Sequence, residues 1–172
     1  MSHIPVSVLI RLETSSDILP ISRIVEAAFC GHPHSDGREP EIVNHLRADG
    51  ALTISLVAES EREVVGHVAI SPVTIAPSVS AWYALGPVSV HPIHQSRGIG
   101  SALVLRGLSE LEVLGAAGCV VYGNPVFYGR FGFKSYRSLL YPHGAKEFFL
   151  AKVFGDKVPE GTVTYSVAFN AA

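Results

Sequence analysis

The chain has 172 residues, of which 48% are hydrophobic and 16% are charged, below the ~25% charged that is usual in soluble proteins. This length predicts a single domain over residues 1–172, with a core that needs neither metal nor disulfide support. A net charge of −2 and the absence of basic runs argue against a nucleic-acid partner.

Two cysteines, Cys30 and Cys119, are too few for a disulfide framework. Residues 1–10 lack the basic start and long apolar core of a signal peptide, and no stretch approaches the ~20 apolar residues that span a bilayer. These features predict a reduced, cytoplasmic protein with no membrane partner. The low charge also leaves room for a homodimer interface.

Hydrophobic periodicity and turn residues predict the elements of the first half of the chain. In order they are a strand at Val6–Leu12, a helix capped by Asp17 and ending at Phe29, a loop at Cys30–Pro40, a helix from Pro40 to Asp49, a hairpin of Thr53–Glu59 and Glu63–Ile75 with a bulge or kink at Pro72, and a strand at Ala81–Val90.

The second half predicts a helix from Gly98 to Gly115, in which Gly107 would allow close packing on a sheet. A strand at Cys119–Tyr122, a short helix at Pro125–Phe131 and closing strands at 133–137, 148–153 and 162–169 follow. A strand–helix–strand unit among hairpin strands predicts a mixed α/β sheet that contains one parallel pair.

The most informative stretch, Val88–Leu103, leads from a strand through a glycine-containing loop into a helix. Free N–H groups and the positive end of the helix dipole suit a phosphate there, and Arg97 adds a cation. The spacing fits neither a dinucleotide loop, since position 103 is Leu, nor a P-loop, since no Gly-Lys pair exists. By itself, Gly98-x-Gly100 is more typical of a tight strand-to-helix turn.

The residues around this loop carry a family resemblance. Val90-x-Pro92 followed by Gln95-x-x-Gly98-x-Gly100 resembles the acyl-coenzyme A loop of the GNAT N-acetyltransferase superfamily, and Tyr128-x-x-x-Gly132-Phe133 resembles that superfamily's second signature. The frame from Leu85-Gly86-Pro87 to Phe133 is similar to a bacterial branch, the YhbS-like group. The resemblance spans about residues 10–169 and implies a largely antiparallel central sheet flanked by helices, with a splayed parallel strand pair.

The resemblance implies acetyl-CoA as the acyl donor and no metal. The strands ending near Val90 and Tyr122 would splay, the pantetheine arm would add a strand beside Val88–Val90, and the pyrophosphate would lie on Gln95–Ser101. The residues expected at the coenzyme are Val88, Ser89, Val90, Gln95, Ser96, Arg97, Gly98, Ile99, Gly100, Ser101, Asn124, Phe127, Tyr128 and Arg130. Alternatively, Asn124 caps the turn before Pro125, and the two arginines are only solvated.

Tyr128 is the expected proton donor to the departing thiolate. A phenol has a reference pKa of ~10 and keeps its proton at neutral pH, whereas a thiol has a pKa of ~8.5. The alternative is a packing role among the phenylalanines at positions 127, 131 and 133.

The base that deprotonates the amine is left open by the sequence. The strand before the loop, Tyr83–Val88, contains no carboxylate. His67, His91 and Glu26 are candidates, and a chain of water molecules is favoured over each of them.

The spacing of Cys30, His32, His34 and Asp36 could place metal ligands on one side of an extended loop. A polar loop lining the acceptor site is the favoured interpretation, because no second ligand cluster exists elsewhere in the sequence.

The sequence therefore predicts an N-acetyltransferase that transfers the acetyl group directly to a primary amine of a small molecule or peptide. The main alternative, a non-catalytic module that binds or senses acyl-CoA, is suggested by the missing carboxylate. A metal-dependent enzyme built on the Cys30–Asp36 loop is a weaker alternative.

Overall fold

The computed structural model describes residues 7–170. The strands are β1 (Val8–Leu12), β2 (Ile54–Ser60), β3 (Glu63–Ile75), β4 (Val79–Val90), β5 (Gly118–Tyr122), β6 (Leu139–Leu140), β7 (Phe149–Val153) and β8 (Gly161–Thr164). The helices are α1 (Ile18–Phe29), α2 (Glu39–Ala48), α3 (Ile99–Val113) and α4 (Pro125–Gly129). Neighbouring strands follow the order β1-β2-β3-β4-β5-β7, while β8 pairs with β3 and β6. All described pairs are antiparallel except β4 with β5 and β6 with β8, so the predicted mixed sheet with a parallel pair is confirmed.

Helix α3 covers one face of the sheet. Its residues Leu103 and Leu111 are completely buried in a cluster that includes Val68 and Ile70 of β3. A Cβ atom at Gly107 would lie 2.9 Å from Cδ1 of Ile70, so the predicted close approach at this glycine is confirmed. Burying each leucine contributes about 1.5–3 kcal/mol, which holds the helix start at a defined position on the sheet.

Helices α1 and α2 cover the opposite face. Ile21 and Val25 of α1 and Val43 of α2 pack on Val57 and Ala69 of the sheet, and all five are buried. The loop between these two helices is thereby held over the ends of the central strands.

The hairpin of β2 and β3 turns as the sequence predicts. Glu61 and Arg62 form its two-residue loop and have positive φ angles of 51° and 68°, as in a type I′ turn. Pro72 pairs in register with Tyr83, and the irregularities in pairing lie on either side of it rather than at the proline. Val6, where the first strand was predicted to begin, lies outside the described residues.

Asp17 does not cap α1 as predicted. Its backbone is already helical, and its carboxylate turns back to accept a 2.7 Å hydrogen bond from the N–H of Thr14. The same carboxylate pairs with Arg11 at 2.7 Å, and this hydrogen bond lowers the pKa of Asp17 to about 2. Asp17 therefore ties β1 to the start of α1.

One closing strand was predicted wrongly, and another is confirmed only at its beginning. Residues 133–137 contribute only one isolated bridge, from Lys134 to Ala151, and the strand predicted over 162–169 ends at Thr164. A short 3-10 helix, Val167–Phe169, follows it. Aromatic residues in both segments gave them a high strand propensity. That propensity reflects packing on a half-buried surface, which these residues can achieve without pairing to a neighbouring strand. The strand predicted over 148–153 is confirmed as β7.

Within residues 7–170, no helix is long and apolar enough to cross a membrane.

Candidate active site

The parallel strands β4 and β5 separate in the middle of the sheet. They pair from Trp82 to Ala84, opposite Gly118–Val120, and then diverge towards Val90 and Tyr122. A register shift adds one residue to β4 just beyond this point, since Val68 pairs with Val88 but Ile70 pairs with Leu85. A bulge of this kind bends the strand away from its neighbour.

A cavity of about 660 Å³ occupies this opening. One wall comes from the bulged segment of β4 and another from the end of β5 and the start of α4; the rest comes from the loop between α1 and α2 and from Phe148. Its lining residues are Phe29, His32, His34, Leu85, Gly86, Pro87, Val88, Tyr122, Gly123, Asn124, Pro125, Tyr128 and Phe148. We call it the central cavity.

A second cavity of about 480 Å³ lies at the start of α3, and we call it the loop cavity. It is lined by Val90, His94, Gln95, Ser96, Gly98, Ile99, Gly100, Ser101, Phe127 and Arg130. Strand β4 and helix α4 contribute to both cavities. Val88 and Tyr128 line the central cavity, and their near neighbours Val90 and Phe127 line the loop cavity.

The floor of the loop cavity presents unpaired backbone N–H groups. Gly98 has a φ of +82° and starts α3, whose first intrahelical bond runs from the N–H of Ala102 to the Gly98 carbonyl at 3.0 Å. The N–H groups of residues 99–101 precede that bond and have no partner within the helix. Together with the helix dipole, these N–H groups favour a negatively charged ligand at this position. The Arg130 guanidinium lies 4.9 Å from the Phe127 ring at the rim of the loop cavity.

The backbone of β4 presents alternate residues to the opening. The N–H of His91 donates to the Val65 carbonyl at 2.9 Å, which fixes the alternation of the antiparallel ladder. Ser89 therefore directs its N–H and C=O towards β3, whereas Val88 and Val90 direct theirs towards the opening. The Val90 carbonyl already accepts a 3.0 Å hydrogen bond from Nε2 of Gln95.

Tyr128 lies on the far side of the opening, in α4. Its ring packs edge-on against Phe127 and Phe133, at centroid distances of 4.9 and 5.8 Å. It also lies directly against Gly123, where a Cβ would be 2.5 Å from the ring, so this glycine is needed for its position. Burial raises the pKa of Tyr128 to about 12, which keeps the phenol protonated at physiological pH.

Known proteins similar to this chain are acetyltransferases. The family model described as an acetyltransferase (GNAT) domain matches residues 52–135. An uncharacterized N-acetyltransferase of Escherichia coli K12, YhbS, is 37% identical over 127 residues, which are 73% of each chain. The chain belongs to the GNAT acetyltransferase family. Its acyltransferase class and its resemblance to the YhbS-like branch are therefore confirmed.

Two solved GNAT structures match nearly the whole chain. A Brucella melitensis acetyltransferase in complex with acetyl-CoA is 43% identical, with a TM-score of 0.86 over 95% of this chain and 99% of that one. The E. coli YhbS structure in complex with CoA is 30% identical, with a TM-score of 0.89 over 99% of this chain and 96% of that one.

The structure of this GNAT protein brings together most of the residues predicted to contact the coenzyme. Val88, Asn124 and Tyr128 line the central cavity, while Val90, Gln95, Ser96, Gly98, Ile99, Gly100, Ser101, Phe127 and Arg130 line the loop cavity. Two predicted residues differ. Ser89 is 1% exposed and pairs with His67. Successive side chains of a strand point to opposite faces of the sheet, so the Ser89 side chain lies on the face that carries α1 and α2, whereas those of Val88 and Val90 lie on the other face. Arg97 is exposed and lines neither cavity.

Asn124 has the capping role that the sequence left as an alternative. Its side-chain oxygen accepts a 2.8 Å hydrogen bond from the N–H of Val126 and so fixes the first turn of α4. Because α4 carries Tyr128, this cap also helps to set the position of the phenol.

The wall opposite β4 was missed as part of the site. Tyr122 and Phe148 belong to it, with ring centroids 6.1 Å apart, and the Tyr122 hydroxyl accepts a 3.0 Å hydrogen bond from the N–H of Ala145. Tyr122 ends a buried strand, a position that often carries site residues in α/β folds. No local pattern marks Phe148, since it reaches the site only through the pairing of β7 with β5.

None of the three side chains considered as the base lines the central cavity. Glu26 is exposed on α1, and the Nδ1 atom of His91 accepts a 3.3 Å hydrogen bond from the N–H of Ile93. His67 is completely buried, with Nε2 2.7 Å from Oγ of Ser55, which donates to Glu13 at 2.8 Å. Burial lowers the pKa of His67 to about 4, despite the opposing effect of Glu13, so its imidazole is neutral at pH 7.

His67 should make the stability of the protein depend on pH. Because its pKa is about 4 in the folded chain and ~6.5 in the unfolded chain, its contribution is complete above pH ~6.5 and lost as the pH falls towards 4. We expect about 3 kcal/mol of the free energy of unfolding to disappear across this window, measured by urea unfolding. In His67→Gln, the free energy of unfolding should fall by about 3 kcal/mol less over the same pH range. If the two proteins lose equal stability between pH 6.5 and 4, His67 is not the group responsible.

The loop between α1 and α2 does not gather its four candidate ligands. Cys30 is exposed, and Asp36 pairs with Arg38, its Oδ2 atom 2.6 Å from Nε. Among residues 7–170, no group of three or more His, Cys, Asp or Glu side chains could hold a metal ion. His32 and His34 instead line the central cavity.

Proposed function

We propose that this GNAT protein transfers the acetyl group of acetyl-CoA directly to a primary amine while both substrates are bound. The observation that carries the proposal is the opening between β4 and β5, which joins an anion site at the start of α3 to a cavity lined by Tyr128. A thioester needs this combination, because its phosphates must be held on one side while its carbonyl is attacked on the other. Relatives solved with acetyl-CoA and with CoA support this choice of donor.

The donor would bind along two surfaces. Its pyrophosphate would accept hydrogen bonds from the N–H groups of residues 99–101, with Arg130 adding a positive charge. The pantetheine arm would pair with the cleft-facing backbone of Val88 and Val90 as an added strand. The N–H of Val88 or Val90 would polarise the thioester carbonyl and stabilise the oxyanion that forms on attack.

Tyr128 would complete the reaction at sulfur. As the C–S bond breaks, negative charge develops on the sulfur, and the phenol O–H can donate a hydrogen bond and then its proton. Its pKa of about 12 keeps the phenol protonated before each turnover but makes it a weak acid, so its proton would move to sulfur as the nitrogen gives up a proton in turn.

The acceptor side of the central cavity favours an amine with an apolar or aromatic substituent. Phe29, Tyr122 and Phe148 form much of this side, and no Asp or Glu of the described residues lines the cavity. A polycationic acceptor would have no carboxylate to pair with here. An acceptor with a single ammonium group beside an apolar chain fits better. An aromatic ring can pack against the apolar chain and can also attract the ammonium ion through a cation–π interaction.

The alternative is a non-catalytic acyl-CoA sensor, for which the missing carboxylate remains the favouring observation. The deciding experiment incubates the protein with acetyl-CoA and a panel of primary amines, including arylalkylamines, polyamines and short peptides. We expect thiol release together with a singly acetylated product, fastest with the arylalkylamines. Tight binding of acetyl-CoA with no acetylated product from any amine would favour the sensor.

A further inference from the structure

The central cavity contains two imidazoles beside the proposed transfer site. Its titratable lining residues, within the part of the chain that the structure describes, are His32, His34, Tyr122 and Tyr128. An attacking amine arrives mostly as an ammonium ion with a pKa of ~10.4 and must lose a proton before it can attack. Of these side-chain types, only histidine commonly accepts a proton near neutral pH.

The hydrogen bonds of the loop distinguish the two histidines. The backbone N–H of His34 donates to Nδ1 of His32 at 3.3 Å. A neutral imidazole has one accepting and one protonated nitrogen, so this bond places the remaining proton of His32 on Nε2. His32 therefore has no free lone pair with which to take a proton from an amine.

His34 keeps its imidazole available. No group among residues 7–170 hydrogen-bonds to its ring, and the ring lies 6.4 Å from that of Phe148 on the acceptor side of the cavity. The His32 ring lies 6.1 Å from that of Phe29. Through its hydrogen bond from the N–H of His34, it fixes the backbone conformation at His34. An exposed base at the mouth of the cavity can also pass its proton on to bulk water.

We propose that His34 is the general base of the acetyl transfer and that His32 positions it. This inference rests on the proposed function. His34 takes one proton from the ammonium group, and the freed lone pair attacks the thioester carbonyl carbon. The C–N bond forms and the C–S bond breaks; sulfur receives the Tyr128 proton, and the second proton lost from nitrogen restores the phenol. His34 then releases its proton to solvent.

The test compares amines that differ in basicity. At about pH 7.5, an arylalkylamine is almost entirely protonated and needs a base, whereas an arylamine is already neutral. In His34→Gln, turnover of the arylalkylamine should fall by the ~10²–10⁴-fold typical of losing an acid–base group. Turnover of the arylamine should fall much less, and added imidazole should restore part of the lost activity.

His45→Gln is the matched control, because His45 is an exposed histidine on α2 that lines neither cavity. It should leave both rates unchanged. Equal losses for both amines in His34→Gln would point to a structural role and overturn the assignment, as would full activity in that variant. If the unaltered protein acetylates none of the amines, the proposed function fails as well, so the two failures are distinguishable.

Discussion

Tyr128→Phe is expected to lower turnover by ~10²–10⁴-fold while leaving the affinity for coenzyme A nearly unchanged. The phenylalanine ring keeps the contacts with Phe127, Phe133 and Gly123, so only the proton donor is lost. The phenol acts mainly when charge develops on sulfur, which is why binding should not change. The loss should be smaller for thioesters of more acidic thiols, because these leave without help.

Tyr122→Phe is the matched control for this prediction. It removes a hydroxyl from the same cavity, but that hydroxyl accepts a hydrogen bond from Ala145 and is the weaker candidate as a donor to sulfur. Because this hydroxyl is not the proposed proton donor, its removal should lower activity only a few-fold. If Tyr128→Phe loses no more activity than Tyr122→Phe, that is only a few-fold, Tyr128 has only a packing role.

Gly100→Val is expected to weaken binding of coenzyme A at least ~10-fold in a calorimetric titration, since each charged hydrogen bond is worth ~1.5–3 kcal/mol. A β-branched side chain would project into the loop cavity where the pyrophosphate is proposed to lie. The fold should persist, because a Cβ at Gly100 would meet Phe127 and Val90 at 3.8 Å, an ordinary contact distance. Gly98 is a poorer choice because its φ of +82° would strain any other residue.

Leu105→Val serves as the control for Gly100→Val. It places the same β-branched residue on an exposed position of α3 and should leave coenzyme affinity unchanged. Both variants should unfold cooperatively, because helix propensity changes stability by less than ~1 kcal/mol in each: it slightly disfavours Leu105→Val and slightly favours Gly100→Val. Unchanged affinity in Gly100→Val would remove the start of α3 from the coenzyme site.

The sequence determined the elements that depend on local signals. The period of Ile21, Val25 and their neighbours predicted α1, and the polar turn before Glu63 predicted the hairpin of β2 and β3. The glycines of the Gly98-x-Gly100 loop and the Tyr128-x-x-x-Gly132-Phe133 signature located the two sides of the candidate site, because these motifs are contiguous in the chain. The family that they resemble, GNAT, is the one to which the chain belongs.

The tertiary structure decided which side chains share the opening between β4 and β5. The register of β3 and β4 pairs Ser89 with His67 beneath α1 and α2, away from the cavity. Burial at that position lowers the pKa of His67 and keeps its imidazole neutral. The packing of α1 and α2 on the sheet brings His34 to the same cavity as Phe148, more than a hundred residues away in the chain. Such juxtapositions depend on which strands pair and in which register, and these are set by the summed burial of many distant residues rather than by any local pattern.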